Sequence, residues 1–175
     1  MMTTNAETAR KAQGEGSRSK MAKDAMKKTA SGGAAKPAEK TSGKNVERAF
    51  STAPWEAQIG YCRALRIGAH VWVTGSTAVR ADGQVFGRGD PELQAGRCLD
   101  VIEEALRRVG ASMGHVVRTR MFVTDIRHWE AVGRAHHARF SEFPPATSMV
   151  EVSGLIHPDM LVEVEAEAYV REDDA

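Results

Sequence analysis

No lysine follows Lys44, although eight occur up to that point. From residue 47 onward all fixed positive charge comes from fourteen arginines, set against nineteen acids. Residues 1–46 hold the eight lysines and two arginines against only Glu7, Glu15, Asp24 and Glu39. The overall charge of +1 therefore hides a basic segment joined to an acidic one, and the change of cation marks a boundary. Large apolar residues are almost missing from the first segment beyond Met1, Met2, Met21 and Met26. Such a stretch cannot bury enough surface to offset the entropy of ordering, so residues 1–46 are expected to be a disordered extension. Met21 and Met26 also offer alternative starts beyond part of it. Its charge allows non-specific contact with nucleic acid. It lacks interleaved aromatics for stacking, so base-specific binding is not expected.

Other absences narrow the function further. Cys62 and Cys98 are too few for a disulfide scaffold and sit in apolar patterns, which predicts reduced, packed thiols and a cytoplasmic protein. No apolar run has the length of a membrane span or a secretory signal. Zinc-type Cys/His spacing and a glycine-rich phosphate loop are both lacking. His136 and His137 are neighbours on an expected helix, so their side chains diverge by about 100°. Neither a metal nor a cofactor is expected.

Residues 47–175 suit one domain. Tyr61–Ile67 and His70–Ser76 read as a hairpin about Gly68-Ala69, with a short stretch at Gln84–Phe86 beyond the Asp82-Gly83 turn. Asp90-Pro91 supplies an N-cap and a first helical residue. Leu93, Ala95, Leu99, Ile102, Ala105, Leu106 and Val109 then repeat with helical period until Gly110. His115–Thr124 reads as a strand. Asp125 caps a second helix over about 127–142, with Trp129, Val132, His136 and Phe140 inward and Pro144-Pro145 as the stop. Ala146–Val152 and Leu161–Val170 close the chain as strands. This order predicts an α+β fold: a mixed β-sheet with two helices packed on one face. Val71-Trp72-Val73 and Met121-Phe122-Val123 are apolar on both sides, which calls for cover on the other face as well.

Several motifs carry a resemblance over about Gly60 to Val170. They are Val73-Thr74-Gly75-Ser76, Gly110–Val117, Phe122–Asp125, Pro145-Ala146-Thr147-Ser148-Met149-Val150-Glu151-Val152 and Val162-Glu163-Val164-Glu165-Ala166. In this order they resemble the RidA (reactive intermediate deaminase, YjgF) family of imine-hydrolysing proteins. The resemblance implies a chorismate-mutase-like fold and a homotrimer with a small-molecule ligand in the cleft between subunits. It also implies two departures. Deaminating members carry an arginine where this chain has Thr147, and it grips the substrate carboxylate with two parallel hydrogen bonds. Threonine has no charge for that task. Many members carry cysteine where Met149 stands.

Alternation along Val162–Ala168 puts Glu163, Glu165 and Glu167 on one strand face, where Arg118 and Arg120 could balance them. That row reads equally as a solvated acidic face. The resemblance assigns Glu163 the catalytic, water-holding role. It places Tyr61 in the pocket wall and the Gly75 backbone beside the ligand. Arg63 shares the face of Tyr61 and is the first candidate to replace the missing arginine, or else an exposed arginine on an early strand. Thr147 and Ser148 complete the candidate binding residues as neutral hydrogen-bonding groups. Two functions follow as expectations. The first is a hydrolase of an imine, enamine or related metabolite other than the usual 2-imino acids. The alternative is a non-catalytic small-ligand-binding trimer.

Overall fold

The computed structural model describes residues 46–171. Apart from Val46, the predicted disordered extension lies outside the described residues. A six-stranded sheet runs in the order β1-β2-β3-β6-β4-β5, where β1 is Val46–Ala49, β2 Ala64–Ile67 and β3 His70–Thr77. The remaining strands are β4 Val116–Val123, β5 Ala146–Glu151 and β6 Val162–Tyr169. All neighbours are antiparallel except β4 and β5. The sheet is thus mixed, as the element order predicts. The short helix α1 (Pro54–Ile59) links β1 to β2. Two longer helices, α2 (Pro91–Arg108) and α3 (Trp129–Phe140), contact each other, and α2 packs against β3 and β6.

Local chemistry explains these elements. The Asp90 carboxylate accepts a hydrogen bond from Leu93 N at 2.9 Å and Pro91 follows it, so both signals of the α2 start hold. Gly110 adopts φ +69°, the left-handed turn that ends the helix. In β6, Val162, Val164, Ala166 and Ala168 are buried beneath the helices, while the three glutamates are half-buried on the other face. That alternation follows from the two-residue period of a strand. Val71, Val73, Met121 and Val123 join the same core, with Leu99, Ile102 and Leu106 of α2 and Val132 and Phe140 of α3.

Four expectations need correction. Trp129 and Leu93 are 58% and 51% exposed, each in the first turn of its helix. The second helix begins at Trp129, after a 3-10 turn over Ile126–His128 that Asp125 caps through Arg127 N. Strand β2 starts only at Ala64, leaving Tyr61–Arg63 in the connection from α1. Strand β1 and helix α1 carry too little apolar pattern to be read as elements from sequence. Helix α1 is six residues long, and its Gly60 cap at φ +85° is the local signal that ends it.

The outer face of the sheet stays open in one chain. Trp72 and Val150 are 42% and 47% exposed there, and Leu65 and Phe122 are partly exposed beside them. The apolar strands on both sides are therefore real, and the two long helices cover only one side.

Candidate active site

The site begins with an irregularity in β3. Val73 pairs with Ala166 and Ser76 with Val164, so Thr74 and Gly75 together oppose Glu165. This bulge reverses the parity of the strand: Ser76 turns into the core at 0% exposure and Thr77 comes opposite Glu163. Gly75 sits under the Glu163 side chain. A Cβ added there would lie 1.9 Å from Glu163 Oε1 and 2.9 Å from its Cδ. The missing side chain is what gives the carboxylate its position.

Below Gly75 lies a buried ion pair. Arg63 and Glu56 are 8% and 5% exposed, with Nε donating to Oε1 at 3.2 Å. Arg63 Nη1 donates to the Gly75 carbonyl at 2.9 Å, and Nη2 reaches the Tyr61 hydroxyl at 3.5 Å. Ser51 completes the carboxylate's shell, donating to Glu56 through its backbone N at 2.7 Å and its hydroxyl at 2.6 Å. Arg63 is therefore no exposed strand arginine, and its guanidinium already holds a carboxylate, a carbonyl and a phenol. Glu56 escapes sequence reading because nothing in a six-residue helix marks which of its polar residues turns inward.

Burial pushes the Glu163 carboxyl above its ordinary value and Glu165 adds to this, while Arg63 draws it back down. Burial likewise raises the Tyr61 hydroxyl, opposed by Arg63. A carboxylate of raised proton affinity beside a phenol and a fixed cation can hold a water and take its proton.

Thr147 and Ser148 lie elsewhere in the chain. Strand β4 separates β5 from β6, so they stand about 10 Å across the sheet from the β6 backbone by ordinary strand spacing. Thr147 pairs with Thr119 and shares its helix-side face, whereas Ser148 faces outward opposite Arg120. Thr147 Oγ1 forms a short hydrogen bond with Thr119 Oγ1, which also bonds His136 Nε2 at 2.9 Å. One chain thus unites Tyr61, Arg63, Gly75 and Glu163, and leaves Thr147 and Ser148 apart.

On the outer face Arg120 pairs with Glu167 at 2.7 Å and approaches Glu165 at 3.9 Å, the balance expected of an acidic row. A concavity of about 540 Å³ opens there, lined by Tyr61, Cys62, Trp72, Arg120, Glu165 and Glu167 but not by Glu163. It opens on the uncovered face of a single chain. Among the described residues no three His, Cys, Asp or Glu side chains group to hold a metal, and no helix is long and apolar enough to cross a membrane.

Residues 50–170 match the family model described as Endoribonuclease L-PSP. The chain belongs to the RidA/YjgF family. An uncharacterized protein of Streptomyces coelicolor is 39% identical over 124 residues, 71% of this chain and 92% of that protein. A RutC family protein of Pyrococcus abyssi is 30% identical, over 62% of this chain and 85% of its own. Among solved structures, a YjgF/YER057c/UK114 family member from Mycobacterium tuberculosis shares 45% identity at a TM-score of 0.65, covering 70% of this chain and 98% of its own. The RidA/YjgF fold accounts for the mixed six-stranded sheet with its helices.

Breaking the Glu56–Arg63 pair in this RidA-like domain should be costly. Arg63→Ala leaves a buried, uncompensated carboxylate, a loss of about 3–5 kcal/mol. The double variant Arg63→Met with Glu56→Leu should lose less than Arg63→Ala alone. Urea denaturation of the three proteins measures this, and a worse double variant would contradict it.

Proposed function

We propose that this protein is a hydrolase of small imines or enamines, with Glu163 as the base that activates water. The observation that carries this is the Glu163 carboxylate held against Gly75, above the Arg63 cation and near Tyr61. Water oxygen bonds to the imine carbon as the C=N electron pair moves to nitrogen, and Glu163 takes the water proton. The same carboxyl returns that proton to nitrogen. Glu163 then takes the hydroxyl proton of the carbinolamine and passes it to nitrogen as the C–N bond breaks, so that ammonia leaves and the oxygen electron pair forms the carbonyl. Tyr61 shapes the pocket wall and Arg63 holds the bulge that seats the base.

The ligand cleft is completed by a second subunit, with Thr147 and Ser148 supplied from β5 of a neighbour in a homotrimer. This reading explains why one chain separates them from Glu163 and why Trp72 and Val150 are bare. With no guanidinium at Thr147, the usual 2-imino acids are poor substrates. A phosphodiester suits the site less, since the Glu163, Glu165 and Glu167 row repels polyanions. Two unpaired thiols fit a reducing, cytoplasmic setting.

Neutral imines made in situ by an amine oxidase from primary amines provide the test. Ammonia release should accelerate with added full-length protein, and sedimentation of the same sample should show a trimer. A monomer at micromolar concentration would remove the shared cleft. A trimer without acceleration for any imine would favour a non-catalytic ligand-binding trimer, which the uncharged Thr147 position also fits.

A further inference from the structure

At the free edge of β5, three polar side chains of the helix–sheet layer meet. Thr119, 0% exposed, bonds both His136 Nε2 and Thr147 Oγ1; Thr147 Oγ1 also lies 3.5 Å from Nε2 and 3.4 Å from the Thr119 carbonyl. Phe140 closes one side of the imidazole at 4.5 Å between ring centres. Thr147 is the exposed end of this chain of groups. Among the described residues, the hydrogen bonds of Thr147 go only to Thr119 and His136. Arg139 of α3 is bound to Asp100 and Glu103 of α2, Arg134 is bound to Glu92, and His137 is the titratable neighbour that acts on His136.

Proton counting defines what such a chain can recognise. With hydrogen on Nδ1, Nε2 accepts from Thr119, Thr119 accepts from Thr147, and Thr147 presents a lone pair outward. With hydrogen on Nε2 every bond reverses and Thr147 presents O–H. A neutral cluster can therefore answer either a donor or an acceptor. It has no charge with which to offset the desolvation of a carboxylate.

We propose that Thr147, Thr119 and His136 form a neutral subsite for an uncharged polar group of the ligand, a carboxamide or hydroxyl, in place of a carboxylate. This rests on the reading that Thr147 borders the ligand cleft. Thr147 is the contacting residue, and His136 is a positioning residue that sets the direction of the hydrogen bonds. A doubly protonated His136 can only donate, which fixes Thr147 as a donor next to positive charge. Burial and His137 hold His136 below the ordinary histidine value, so that state arises only in acid.

Pyruvamide and pyruvate form a matched pair of probes for calorimetric titration of the full-length protein. At pH 7.5 the wild type should bind pyruvamide about tenfold more tightly, one polar contact's worth. Thr147→Val should erase that preference, and Thr147→Arg should reverse it. On acidification the preference should narrow in the wild type, at a pH below the ordinary histidine range, and persist in His136→Gln, a difference that a merely structural histidine would not produce. Pyruvate bound as tightly as pyruvamide at pH 7.5, or neither bound at millimolar concentration, would overturn the subsite. Selective pyruvamide binding without imine hydrolysis would instead sink the hydrolase reading and leave the subsite standing.

Discussion

Glu163→Gln should reduce imine hydrolysis by about 10²-fold or more while leaving folding and ligand binding intact. The amide keeps the shape of the side chain and cannot take the water proton. Glu165→Gln is the control, because it lies two residues on along the same strand face and pairs with Arg120 rather than sitting on Gly75. It should retain most activity. If Glu165→Gln alone is inactive, the base belongs to the 540 Å³ concavity and the site lies one pleat further along β6. Wild-type rates in both variants would leave the glutamate row as a charged face balanced by Arg120.

Gly75→Ala should separate activity from stability. The new methyl group meets the end of a flexible side chain, at 1.9 Å from Glu163 Oε1, so Glu163 can swing aside at little energetic cost. The fold should lose under about 1 kcal/mol, at the mild end of single-substitution effects. The displaced carboxylate should cost about 10²-fold in kcat/KM, the scale of a misplacement of about 1 Å. Thermal melts and initial rates on the same preparation decide it. Full activity with a normal melting temperature would mean that the Gly75–Glu163 contact has no role in catalysis.

Much of this was legible in residue order. Period-two alternation fixed which face of β6 carries Glu163, and the Asp90-Pro91 signal fixed the start of α2. The bulge at Gly75 and its fit under Glu163 come from the pairing of β3 with β6, a partner distant in sequence. What escaped was set by distant partners. Arg63 looked like a surface arginine because its partner Glu56 sits on a helix too short to show a pattern. Gln94, fully buried, holds the Gly87 and Asp159 carbonyls and the Leu161 backbone N, pinning the loop that leads into β6. Sequence periodicity cannot distinguish it from a solvent-facing glutamine. His136 was placed inward, yet its bond to Thr119 depended on the parallel register of β4 and β5, which no local signal records.

The pH dependence of kcat/KM for a neutral imine tests the central claim most directly, with the substrate's own titration measured separately. Activity requires Glu163 deprotonated, and burial raises its carboxyl above the ordinary value. Activity should therefore be full at neutral pH and fall on acidification along a limb centred above the ordinary glutamate value of about 4.3. In Glu163→Gln that limb should vanish from whatever activity remains. A limb at or below the ordinary value in the wild type, or one that persists unchanged in Glu163→Gln, would contradict the assignment of Glu163 as the base.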